Sequence, residues 1–100
     1  MLGDCLERRL RDDGIDCRAL RRVSGRLTGI AFVSYRSDGS RSFLFHLTES
    51  AAALTHWRQI PSRYLDGTRW LHVTGSALSV APQMREACYR AAEEVRARGG

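Results

Sequence analysis

One stretch, TGIAFVSYRSDGSRSFLFHLTESAAA from Thr28 to Ala53, constrains this chain more than any other. Two runs rich in β-formers, Ile30–Arg36 and Arg41–Leu47, flank the turn residues Ser37, Asp38 and Gly39, so the stretch is expected to close as a hairpin. A short helical start follows at Glu49. Ile30, Phe32, Val33 and Tyr35, with Phe43 and Phe45, put apolar side chains on both faces of the pair. A hairpin with water on one side alternates more cleanly. One face is therefore expected to pack on something else, to face a ligand or to meet a neighbouring subunit. The turn admits two registers. A two-residue Asp38-Gly39 loop sets Ala31 opposite His46 and Phe32 opposite Phe45. A three-residue loop with Gly39 in the left-handed position sets Ala31 opposite Phe45 and Val33 opposite Phe43.

Around this stretch the chain reads as alternating helical and extended pieces. Leu2, Cys5, Leu6 and Leu10 fall on one face of a helix over Gly3–Asp13, with Gly14 as its left-handed stop. Arg18–Leu27 has no clear period and reads as a connection, with room for a short strand around Leu20–Val23. Beyond the hairpin, Glu49–Trp57 is expected to be helical, and Pro61–Leu65 a turn or short helix before the Asp66-Gly67 turn. Trp70-Leu71-His72-Val73-Thr74 is short and nearly all apolar, and reads as a buried parallel strand over about 70–74. Pro82 opens the clearest helix, about 82–98, whose Met84, Ala87, Cys88, Ala91, Ala92 and Val95 recur on one face. A strand–helix crossover implies a further parallel strand, and none follows within the sequence. The pattern is thus expected to be a cut from a larger α/β domain.

Composition narrows the classes. Of the 100 residues 43% are hydrophobic and 27% charged, so most of the chain is expected to fold as one domain at most. The net charge of +5 comes from 16 arginines with no lysine, which fits a GC-rich coding sequence better than a binding function. Most arginines are interspersed with acids; only Arg18, Arg21, Arg22 and Arg26 run without them, and no aromatic–basic platform accompanies them. No nucleic-acid partner is expected. No run of about 18 apolar residues occurs, so no membrane span is expected. MLGDCLERRL lacks an apolar leader core, so a cytoplasmic location is the expectation. Cys5, Cys17 and Cys88 have neither disulfide nor zinc spacing and read as reduced thiols.

The order of these motifs resembles the ribokinase-like (PfkB) carbohydrate kinases over essentially the whole chain, especially the branch containing the 2-keto-3-deoxygluconate kinases. The helix matches in Gly3, Leu6, Leu10, Gly14, Ile15 and Asp16, and the hairpin in Thr28, Gly29, Asp38, Gly39, Arg41 and Phe43. Ser50-Ala51, then Leu65, Gly67, Leu71, His72 and Gly75, and finally Pro82 and Arg85 follow in family order. The resemblance implies an α/β fold: a fragment, residues 1–100, of a ribokinase-like Rossmann-type sandwich with a β-hairpin lid at about 28–47. It implies a segment of an ATP-dependent kinase, with ATP and Mg serving the full-length family, that moves a phosphoryl group onto a sugar hydroxyl. The family's Gly-Ala-Gly-Asp motif, which carries the catalytic aspartate and the anion-holding helix N-terminus, does not occur here, nor does the ATP site. The segment is therefore expected to be inactive alone.

By the same resemblance the lid residues meeting a sugar or sugar-acid substrate fall at Ala31, Phe45 and Leu47, with His46 as a further candidate. The family branch uses an arginine fork for a carboxylate, which Leu47 cannot supply, so a neutral sugar is an equal candidate. A shared pocket face favours the three-residue loop. A homodimer through the lid is a further expectation. Taken by themselves, His46, His56 and His72 have no metal spacing; His72 reads as a hydrogen-bonded core histidine, and Trp57 and Trp70 as packing residues. Phe45 reads as lid packing as readily as a sugar-stacking residue. Ser50 has no partnered base for nucleophilic chemistry. Three classes stand: a sugar kinase segment, a non-catalytic lid-type binding or dimerisation module, and, least supported, a basic nucleic-acid binder.

Overall fold

The helical stripe near the N-terminus becomes α1, Leu2–Asp12, in a computed structural model that describes all residues from Met1 to Gly100. Its end is built by hydrogen bonds from Gly14 N–H to the Arg11 carbonyl (3.0 Å) and from Ile15 N–H to the Leu10 carbonyl (2.9 Å). That is a helix stop in which the residue past the end turns left-handed. No α1 residue is buried, so the apolar stripe of Leu2, Cys5 and Leu6 lies open. Cys5, on that stripe, is exposed for the same reason. The connection Arg18–Leu27 has no strand at Leu20–Val23. It is tied back to α1 by Arg22, which reaches Asp4 at 2.6 Å and Glu7 at 2.5 Å.

The hairpin forms as β1, Ile30–Tyr35, and β2, Arg41–His46, paired antiparallel. The register is that of the three-residue loop: Ala31 opposes Phe45 and Val33 opposes Phe43. Gly39 sets it. It takes φ +85°, a conformation that costs an L side chain strain, and donates to the Arg36 carbonyl at 3.0 Å. The Ser40 N–H donates to the Asp38 carboxylate at 2.8 Å and closes the tip.

The core lies at the other end of the molecule. Three 3₁₀ turns, Ala51–Leu54, Trp57–Gln59 and Ser62–Leu65, lie against the long helix. A short helix α2, Gly75–Val80, leads into that helix, α3, Pro82–Ala97. α3 buries Ala87, Ala91 and Val95, half of the face expected from the sequence. Ala53 and Leu65 are the buried residues of the turns. Small residues let the helix approach closely, and polar ties fix the approach. Gln83 Nε2 donates to the Ala53 carbonyl at 2.6 Å, and Arg98 bonds the Ser62 carbonyl at 3.0 Å, Glu94 at 3.2 Å and Asp66.

Three expectations differ from the structure. Glu49–Trp57 is not one helix, because Thr55 and His56 are extended. The His56 ring accepts the Arg58 N–H at 3.1 Å while the His56 N–H donates to Gln59, which restarts the chain as a separate turn. α2 stands where no helix was expected. Trp70–Thr74 forms no strand, since no second strand lies beside it to accept ladder bonds. Trp70 is consequently 92% exposed, and His72 is exposed and not a core residue.

The molecule does not close around a single core. Its accessible surface is 7999 Å², where a compact monomer of 11.3 kDa exposes about 5,700 Å². Its radius of gyration is 15.5 Å against about 13 Å for a compact chain of this length. No helix is long and apolar enough to cross a membrane.

Candidate functional site: the hairpin face and the groove at its root

Alternation along the strands sorts the hairpin into two faces. One carries Ala31, Val33 and Tyr35 from β1 with Phe45, Phe43 and Arg41 from β2. The other carries Ile30, Phe32 and Ser34 with His46, Leu44 and Ser42. Of the four residues expected at substrate, the structure brings Ala31 and Phe45 together as a cross-strand pair. Leu47 extends the same face by one more alternation past β2. His46 falls on the opposite face, against Ile30.

Phe43 and Phe45 stack with ring centroids 5.6 Å apart and planes 3° from parallel. They present a flat aromatic surface next to the small Ala31. Phe43 was not among the expected site residues. Its period-two spacing from Phe45 was the signal that pointed to it. The only arginine on this face, Arg41, lies at the tip, across from Tyr35 and at the far end from Leu47. Phe43 and Phe45 are both more than half exposed, so nothing in the chain covers them.

At its root the face runs into a groove of about 620 Å³ between α1, the connection and the 3₁₀ turns. Gly29, Leu47, Leu6, Leu20, Leu54 and Ile60 are among its lining residues. Just over half of the lining is apolar, with Glu7, Arg21, Arg22 and Arg26 as its charged residues; Arg22 is tied to α1 and Arg26 to the Glu49 carbonyl. Two arginine hydrogen bonds hold the Glu7 carboxyl below its ordinary pKa, that from Arg11 first and that from Arg22 next. The Arg22 contact does the same for Asp4. Glu7 and Asp4 thus stay ionised and occupy Arg22. Of the acid-free arginine run, Arg18 is also taken up, by Asp16 at 2.6 Å.

No group of three or more His, Cys, Asp or Glu side chains comes together as a metal-ligand set.

An exposed aromatic hairpin thus stands beside a groove and a body of helices and 3₁₀ turns. The family model for pfkB family carbohydrate kinases matches residues 1–100, and the chain belongs to that family. Fructokinase-1 of Zea mays is 32% identical over 87% of this chain, and fructokinase-1 of Oryza sativa subsp. japonica is 31% identical over the same share. Each match takes in 34% of the relative. A crystal structure from E. coli, provisionally assigned as ribokinase II and in its apo form, superposes on 98% of this chain with a TM-score of 0.87 at 32% identity, and is covered over 31% of its own length. The chain thus spans about a third of the length of the relatives it matches. The fold is an α/β segment of the ribokinase type with a two-stranded antiparallel hairpin.

Proposed function

We propose that this chain is the lid-bearing segment of a carbohydrate kinase that phosphorylates a neutral sugar of the fructose type. The observation that carries the proposal is the single face shared by Ala31, Phe43, Phe45 and Leu47. A stacked aromatic pair offers a π-surface to the C–H face of a sugar ring, and Ala31 leaves room for it. An acidic sugar of the 2-keto-3-deoxygluconate branch calls for a cation on the lid face. Leu47 is none and the one arginine of that face, Arg41, is at its far end, while Arg21 and Arg26 line the groove at the root and not the face. The likeness to plant fructokinases supports the same class.

In the whole enzyme ATP with Mg supplies the phosphoryl group and the charge neutralisation. This segment contributes the lid face and none of the transfer chemistry, since it carries no Gly-Ala-Gly-Asp motif. The second hairpin face, with exposed Phe32 and Leu44, suits the lid of a second copy of the chain, so that one face covers sugar and the other a partner.

The test is an amide-shift titration of the chain with D-fructose and, separately, with a carboxylated keto-sugar. Fructose should move the amides of Ala31, Phe43, Phe45 and Leu47. A larger response to the acid would reverse the assignment. Incubation with ATP and fructose should release no ADP above the rate without protein; ADP release from the chain alone would refute the division of labour proposed here.

A further inference from the structure

We infer that Ser50 and Gly29 form a lock at the root of the hairpin that sets the direction of the lid face and aims Leu47. The inference rests on the reading of the hairpin as a sugar lid. Ser50 is the one polar side chain fully buried in the molecule, at 0% exposure. Its hydroxyl donates to the Leu47 carbonyl at 2.6 Å, and its N–H donates to the same carbonyl at 3.1 Å. Leu47 is the first residue past β2, so both bonds grip the chain where it leaves the hairpin.

The other leg is held at the same point. Ala51 N–H donates to the Leu27 carbonyl at 2.8 Å, which fastens the approach to β1. Between the two legs sits Gly29. A Cβ there would lie 2.9 Å from Leu47 Cδ2 and 3.3 Å from Ser50 Oγ. Its φ is not positive, so glycine is needed for closeness and not for backbone conformation. The absent side chain is what lets Leu47 fold over the root and Ser50 reach its carbonyl.

Beyond its root the hairpin has no extensive packing on the body that would fix its direction: β1 and β2 are mostly exposed on both faces. A two-stranded element held at one end turns about that end. Ser50 is thus a positioning residue: it touches no substrate and acts through Leu47 and through the angle of the face carrying Phe45.

The experiment measures residual dipolar couplings of backbone amides in the intact chain, comparing β1 and β2 with α3. In the parent chain both sets should fit one alignment tensor. In Ser50→Ala the α3 couplings should be unchanged while the hairpin couplings shrink and no longer fit that tensor. Gly29→Ala, with the serine intact, should leave the hairpin ordered but tilted, with its own orientation and a shifted Leu47 methyl resonance. One common tensor in all three proteins would overturn the inference. So would loss of α3 dispersion in Ser50→Ala, because Ser50 would then support the core and not the lid. The fructose titration tests the sugar-lid reading separately, and its failure leaves the coupling result readable.

Discussion

Replacing Val95 by alanine tests where this open molecule keeps its stability. Val95 is 3% exposed on the inner face of α3, one turn from Ala91, with Gly100 against it. Losing two methyl groups forfeits about 1.6 kcal/mol of burial, and an incompletely collapsed cavity adds about 1 kcal/mol. Alanine's better helix propensity returns about 0.5 kcal/mol. The net loss is about 2 kcal/mol. A domain of this length has about 5 kcal/mol at the lower end of the usual range, and a chain with six buried residues belongs there. In urea, with a slope of roughly 1–2 kcal/mol per molar, the midpoint should fall by about 1–2 M. Val33→Ala on the hairpin is the control. Val33 is 41% exposed and the substitution should cost under about 1 kcal/mol. Far-UV circular dichroism at 222 nm follows α3 in both. A Val95→Ala midpoint within error of the parent, or an equal fall for the two variants, would show that the core is not where the buried residues put it.

Gly39→Ala should destabilise the hairpin by about 1 kcal/mol, because φ +85° is strained for alanine; unchanged cross-strand Ala31–Phe45 contacts together with unchanged amide protection would contradict this. Asp16, held down to about 2 by the Arg18 side chain, should titrate below the ordinary carboxylate range when its carboxylate carbon is followed by NMR. Its depressed folded-state pKa means that its contribution is present above the ordinary carboxylate range and is lost as pH falls towards 2. Arg22→Ala should raise the midpoints of Asp4 and Glu7 towards ordinary values and leave Asp16 where it was. Equal shifts of all three would mean a global change and not the loss of one guanidinium.

α1, the hairpin and α3 were legible because each is dictated locally: a 3.6-residue stripe in the helices, and β-formers around Asp38-Gly39 in the hairpin. The structure also settles the register, since Gly39 alone can take the turn's positive φ. α2 escaped notice because Gly75-Ser76-Ala77-Leu78-Ser79-Val80 shows no stripe and starts with poor helix formers. Its cue was the cap, Thr74 Oγ1 accepting the Ala77 N–H at 3.2 Å. Trp70–Thr74 was read as a buried parallel strand and forms none, because burial and pairing are properties of what lies beside a strand, and no neighbour in these 100 residues supplies them. The same holds for the stripe on α1. At the site, the family resemblance named Ala31, Phe45 and Leu47, and alternation along β2 sets His46 apart from Phe45 and Leu47, while only the register decides that Ala31 shares their face. Gly29 and Ser50 were visible as family matches, but their contact links residues 21 positions apart and shows only in three dimensions.

The two hairpin faces are chemically similar enough that one substitution on each should separate their roles. Phe45 is 57% exposed on the Ala31 face, and Leu44 is 68% exposed on the His46 face. Neither loses much folding energy on becoming charged, because each already meets water. A glutamate at either position would instead act on whatever comes to cover it, where an unpaired buried carboxylate costs several kcal/mol. If the His46 face meets a second copy, Leu44→Glu should convert a dimer to a monomer in sedimentation equilibrium and leave the fructose shifts at Ala31 and Phe43 in place. Phe45→Glu should do the reverse, keeping the dimer and abolishing the shifts. A stable pairing needs about 1,000 Å² or more of buried surface. The chain's excess of roughly 2,300 Å² over a compact monomer is large enough for that and for a groove beside it. If both substitutions abolish association, the faces are not divided between ligand and partner, and the aromatic pair belongs to the subunit contact.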